Sequence, residues 1–287
     1  MSKPMYFRIA VIVLWLSMVA WLIRYEAFPE YFSHSIAGYR GMLTRDTILM
    51  DSWFKILFRG TEIGYSHTNM DINDDNMLEH YVINNRVHLV LNIGGSRINV
   101  HLLGTVILDI TYNLSRFKFA FSSPALVYKA DGVRENGDRF KVSVTAQADQ
   151  TNTFHIIIPT DVILFSPMSA TIMKHLRPGQ QVVIRTIDPI SMKRTTLLVR
   201  ALRKEILSFH EHIEATVVST EYNGITMKSW IDEGGNLLRQ ETPIGLEMRK
   251  CTPEEAFSAI AGTQNANEVL KVLLPLLFVT ENKNDRN

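Results

Sequence analysis

Arg116-Phe117-Lys118-Phe119-Ala120-Phe121 places a phenylalanine at every second position and a charged or small residue between. In an extended strand successive side chains point to opposite faces, so Phe117, Phe119 and Phe121 share one face and Arg116 and Lys118 the other. The stretch is therefore a strand with a dry side and a wet side, and period two becomes the template for the flanking sequence.

Outward from this strand the same pattern recurs. Downstream, 125–129, 139–145 and 153–158 read as strands, with turn signals at Asp131-Gly132 and Asn136-Gly137-Asp138. Upstream, two long segments, 78–93 and 97–110, flank Gly94-Gly95, which supplies the positive φ of a tight hairpin. Asp74-Asp75-Asn76 reads as a turn, and a further hairpin is predicted around 59–62, where the run 53–58 ends at Gly60 and resumes at Ile63-Gly64-Tyr65. Beyond a helical interlude predicted over 168–176, stopped by Arg177-Pro178-Gly179, strands resume at 181–186, 195–202, 209–220, 224–232, 237–241 and 246–251. Turns this frequent argue for an antiparallel meander and against alternating βαβ units. The expected fold is mainly β: a large curved antiparallel sheet, half-barrel or sandwich-like, with one or two packing helices. Alternation alone serves a half-open barrel and a two-sheet sandwich equally well, and the long strands favour the open, curved sheet.

Both ends of the chain depart from period two. Residues 9–23 are uncharged and mostly apolar, bounded by Arg8 and Arg24. That run alone is short for a bilayer, but counted over 5–28, with the two arginines extending their charges to the interfaces, it reads as an N-terminal transmembrane anchor. A cleaved secretory peptide is the rival reading, weakened by Met18 where a cleavage site needs a small residue. Lys3 and Arg8 before the run, against Arg24, Glu26 and Glu30 after it, predict a cytoplasmic N-terminus in a bacterial cytoplasmic membrane and a domain in the periplasm or outside the cell. At the other end Thr252-Pro253-Glu254-Glu255 has the form of a helix start with a capping box. Residues 269–279 are apolar apart from Lys271 and Pro275, too short to span a membrane, and read as a helix packed on the sheet. The expected organisation is an anchor over 1–28, a connector over 29–50, a β-domain over 51–262, and an apolar helix with a disordered tail over 263–287.

Charge and chemistry narrow the function more by exclusion. The formal net charge is +1, which leaves no basic footprint for nucleic acid. Cys251 is the one cysteine, so no intrachain disulfide exists, and on a strand it reads as a small buried hydrophobe. His210 and His212 flank Glu211 and would point to one face, a spacing that suits a metal pair, but no third ligand follows at a suitable spacing. Asp71, Asp74 and Asp75 lack the glycine and distal glutamate of a calcium loop. With no phosphate-cradling glycine loop and no serine elbow, the chain reads as a non-enzyme without cofactor.

A set of collinear motifs carries a resemblance. Gly60-Thr61-Glu62-Ile63-Gly64-Tyr65 follows a Trp-led strand, and Pro178-Gly179-Gln180 precedes a strand ending at Asp188-Pro189-Ile190-Ser191. Then come Trp230-Ile231-Asp232, Leu238-Arg239-Gln240-Glu241, Gly245-Leu246 and the Thr252 helix start. Over 51–257 this order resembles the extracytoplasmic β-domain that precedes the catalytic core in bacterial membrane-anchored transglutaminase-like proteins. The resemblance implies an accessory domain without the enzyme, since Cys251 has no match to the family's catalytic cysteine. Two functional expectations follow. One is a non-catalytic module that binds a partner protein or cell-envelope component. The other is a carrier or sensor of an apolar, lipid-like ligand on a concave face fed by Phe117, Phe119 and Phe121.

Overall fold

The structure, a computed structural model, describes residues 3–22, 34–35, 38–43, 51–93, 96–146, 150–164, 173, 176–187, 193–208, 212–222 and 224–261. Helix α1 (Lys3–Leu22) is followed by β1 (His34–Ser35) and the short α2 (Gly38–Met42). The strands then run β2 (Asp51–Phe58), β3 (Thr61–Ile72), β4 (Tyr81–Ile93), β5 (Ser96–Leu108), β6 (Leu114–Ser122), β7 (Val127–Asn136), β8 (Arg139–Ala146) and β9 (Gln150–Ile157). After these come β10 (Val162–Leu164), β11 (Gln181–Ile187), β12 (Arg194–Ser208), β13 (His212–Tyr222), β14 (Ile225–Ile231), β15 (Leu237–Glu241), β16 (Leu246–Cys251) and helix α3 (Pro253–Ala261).

All strands belong to one sheet, in the order β1-β11-β12-β13-β14-β15-β16-β2-β3-β4-β5-β6-β7-β8-β9, with β10 beside β11. The expected mainly β architecture, a large open antiparallel sheet with few helices, is what forms. β16 pairs antiparallel with β2, Met248 opposite Ile56, which splices the two halves of the meander into a continuous surface. Among the described strands only β1 and β10 depart from the antiparallel rule, each lying parallel along the same edge of β11. Residues 34–35 and 38–43 fall within the stretch read as a connector, and they contribute β1 and α2 to the fold.

The sheet curls because one core draws on strands from both of its ends. Phe140 and Val142 of β8 share a buried cluster with Val162 and Ile163 of β10, Ile184 and Ile187 of β11, and Phe117 of β6. Register slips at Ile56/Leu57, Ile107/Leu108, Arg134/Asn136 and Ala201/Arg203 mark bulges, which sharpen strand twist and allow the curl. The inner face is apolar, while the outer face carries ion pairs such as Arg249 to Glu247 (2.5 Å) and Lys55 to Glu62 (3.2 Å).

Turn chemistry explains several hairpins and corrects one. Arg59 and Gly60 both have positive φ, the requirement of the two-residue turn that matches strand twist, and they join β2 to β3 as expected. Asp131-Gly132, read as a turn signal, instead lies mid-strand in β7. Gly132 stands opposite Phe117, and a Cβ there would collide with the Phe117 ring, so this glycine serves packing and not reversal. At α3 the capping box forms: Glu255 N donates to Thr252 Oγ1 (3.3 Å) and Thr252 N to Glu255 Oε2 (3.0 Å). The helix lies on the outer face, with Phe257 against Trp53 and Tyr65 (centroids 5.3 and 5.4 Å).

Helix α1 leaves large apolar side chains uncovered, with Leu14 63%, Trp15 62% and Met18 64% exposed. Its described part ends at Leu22, short of the 5–28 span expected of an anchor, and no helix among the described residues is long and apolar enough to cross a membrane. The interlude expected over 168–176 lies outside the described residues apart from Met173 and Leu176, and so does everything beyond 261.

Candidate functional site

Inward-facing residues fall into rows across the registered strands, and the rows differ in character from one end of the curl to the other. The hairpin turns at 59–60, 123–126 and 242–245 gather at one end, here called the mouth, and the turn predicted at Gly94-Gly95 lies outside the described residues. The connections at 73–80, 109–113 and 137–138 gather at the opposite end, the base.

The base is sealed. Tyr39 of α2 is 2% exposed and its hydroxyl accepts a hydrogen bond from Leu164 N (2.9 Å); burial pushes its pKa well above the usual phenol value. Tyr81 and Tyr112 stack (4.7 Å) with their hydroxyls 3.0 Å apart, and that hydrogen bond, helped by desolvation, pushes Tyr81 up to about 12. Asp109 closes the β5–β6 turn, accepting from Thr111 N (2.9 Å), Thr111 Oγ1 (2.6 Å), Asn113 N (3.0 Å) and Arg134 Nη2 (2.6 Å). Burial works against its charge, but the bonds from Arg134, Thr111 and Asn113 outweigh this and hold its pKa below the usual carboxylate value.

The mouth is greasy and incompletely covered. Ile56, Phe58, Leu89, Leu91, Val100 and Phe121 form a buried floor, and Val87, Leu102, Phe119, Tyr128, Leu126 and Met248 lie over it half-exposed. Between this cluster and the sealed core runs a polar row. Thr68, Asn85, Gly104 and Phe119 are successive register partners across β3 to β6, with Ser66 one step towards the mouth. Ser66 and Thr68 are buried, and Asn85 Nδ2 donates to both, at 3.2 and 2.7 Å. A Cβ added at Gly104 would meet no atom within 4 Å, so the inner face has an open niche between Asn85 and Phe119.

The three phenylalanines share the inner face, in different settings: Phe117 lies in the sealed core, Phe121 in the mouth floor, and Phe119 half-exposed beside the niche. Only Phe119 has free surface for a ligand. His210 lies outside the described residues, whereas His212 opens β13, exposed, with Ser208 Oγ at 3.3 Å from its Nδ1. Among the described residues no three His, Cys, Asp or Glu side chains gather as a metal site. Cys251 is half-buried, and desolvation, with Glu255 nearby, pushes its thiol up to about 11, which keeps it out of the thiolate form at neutral pH. Sequence reading missed Asn85 and Gly104. Their only signal is an asparagine and a glycine inside otherwise apolar-alternating strands, where glycine weakens a strand unless something needs the room.

No family model matches the chain, and no curated protein matches it in sequence. Among solved structures it is similar to a β-barrel-like protein of domain of unknown function DUF1849 from Brucella abortus. Identity is 10%, the TM-score 0.47, and the match covers 71% of this chain and 96% of that one. A DUF1089 family protein from Pseudomonas aeruginosa is more distant in shape, at 14% identity and TM-score 0.34 over 62% of this chain and 89% of that one. Both are loose likenesses, and neither is described as transglutaminase-like.

Proposed function

We propose that this protein is a membrane-tethered binding module that holds an apolar, lipid-like ligand in the open mouth of its curled sheet. The half-exposed apolar lining around the Gly104 niche supports this reading. Small-molecule sites have this form: a concave, largely preformed apolar surface with a few polar groups that orient the occupant. The full chain, purified from membranes and analysed by organic extraction with mass spectrometry, is expected to yield a stoichiometric apolar compound. Gly104→Trp, which fills the niche, should reduce the recovered amount about tenfold, corresponding to ~1.4 kcal/mol of binding. A wild-type protein that emerges free of such compounds overturns the proposal.

Tethering is proposed on the exposed apolar side chains of α1, such as Leu14, Trp15 and Met18, which a bilayer would cover. The charge bias, with Lys3 and Arg8 before the apolar run and Glu26 and Glu30 after it, leaves the β-domain outside the cytoplasmic membrane. Protease added to spheroplasts should degrade the domain, whereas protection of the intact chain until lysis would place it on the cytoplasmic side.

A further inference from the structure

We infer that the mouth selects a ligand with an uncharged hydrogen-bond donor, a hydroxyl or a primary amide, carried on an apolar chain and received by Asn85 Oδ1 beside Gly104. The inference rests on the ligand-binding reading and adds the chemistry of the occupant.

Three observations lead to it. Asn85 stands between Thr68 on β3 and Gly104 on β5, and its Nδ2 is directed towards β3, at Thr68 and Ser66. Its carbonyl oxygen is therefore left on the β5 side, towards the open space at Gly104. A carboxamide oxygen accepts hydrogen bonds and cannot donate them, so its natural partner is a donor.

Gly104 itself has no conformational reason to be glycine. Its φ is not in the left-handed region and no backbone approaches its Cβ direction, in contrast to Gly64, where an added Cβ would collide with the His88 carbonyl. The missing side chain provides room in front of Asn85 and nothing else.

The charge of the occupant follows from its surroundings. From β3 to β7 the inward rows Ser66-Val87-Leu102-Phe121-Tyr128, Thr68-Asn85-Gly104-Phe119-Ala130 and Met70-Ile83-Val106-Phe117-Gly132 contain no acid, no basic residue and no histidine. A carboxylate or ammonium placed in these rows would be desolvated with no opposite charge among them to meet it, the Arg59 guanidinium lying instead over the Phe58 ring (5.2 Å), whereas a hydroxyl or amide needs only one partner. The chain attached to that donor would lie along Phe119, Leu102 and Val87 towards the mouth.

Photolabelling of the full chain in phosphatidylcholine nanodiscs tests this, with diazirine-bearing dodecanol, dodecanoate and dodecane at pH 8. Dodecanol should label the peptide spanning 98–121 about five- to tenfold more than either competitor, the ratio expected of one hydrogen bond gained in a partly covered site. Asn85→Leu should bring dodecanol down to the level of dodecane while dodecane labelling is unchanged. Gly104→Val, a strand-compatible change that covers the niche, should do the same if Asn85→Leu does not fold. Equal labelling by all three probes, or an alcohol preference that survives both variants, overturns this inference and leaves the ligand-binding reading standing. Absence of labelling in 98–121 by every probe overturns both.

Discussion

Phe117→Asp should leave the domain with no cooperative unfolding transition. Phe117 is 2% exposed, meets Phe140 two strands along the sheet (centroids 6.3 Å), and occupies the space that Gly132 vacates. Truncating such a ring costs roughly 3–5 kcal/mol, and a carboxylate left there without a partner adds several more. Together these reach the roughly 5–15 kcal/mol that holds a domain folded. Lys118→Gln, one residue along on the exposed face, should change stability by less than about 0.5 kcal/mol. Denaturation followed by far-ultraviolet circular dichroism separates the two, and a folded Phe117→Asp variant would show that the inner face is hydrated at this row. Position 119 is less sensitive than position 117, because Phe119 is only half-covered.

Asp109→Ala is expected to cost roughly 3 kcal/mol at neutral pH, since it strands Arg134 in the base and removes the three bonds that close the β5–β6 turn. The pair is largely sheltered, with 12% and 21% of the two side chains exposed. Its pH dependence identifies the cause. Because the folded-state pKa of Asp109 is depressed, its contribution is complete above the unfolded carboxylate value near ~4 and fades as pH falls through the lower folded value. The stability gap between wild type and Asp109→Ala should therefore narrow on acidification below about pH 4. Removing the half-exposed Arg116 to Asp131 pair (2.8 Å) through Arg116→Gln should cost no more than about 1 kcal/mol. A gap for Asp109→Ala that stays constant to low pH would mean that lost packing, not lost charge, accounts for it.

Individual elements were legible because strand and helix signals are local. The period-two run around Phe117 and the hairpin before β3 depend on neighbours a few positions away, as does the Thr252 to Glu255 capping box, and each forms as read. Leu237–Glu241 and Leu246–Cys251 are strands with the expected limits. Asp131-Gly132 misled for the converse reason. Glycine signals a turn when the backbone needs its freedom, but here a ring fifteen residues earlier in the chain needs its empty volume, and only the β6–β7 register reveals that.

By itself the sequence determined that this chain forms a pleated sheet with an apolar face, a polar face and an apolar N-terminal helix. The tertiary structure alone decided where that apolar face is sealed and where it stays open. Phe117 and Phe119 are indistinguishable by pattern, yet one is enclosed in the core shared with β10 and β11 from the far end of the sheet and the other borders the gap at Gly104. Alternation is a property of one segment, whereas cover depends on residues brought together from distant strands, and no local period records which of them arrive.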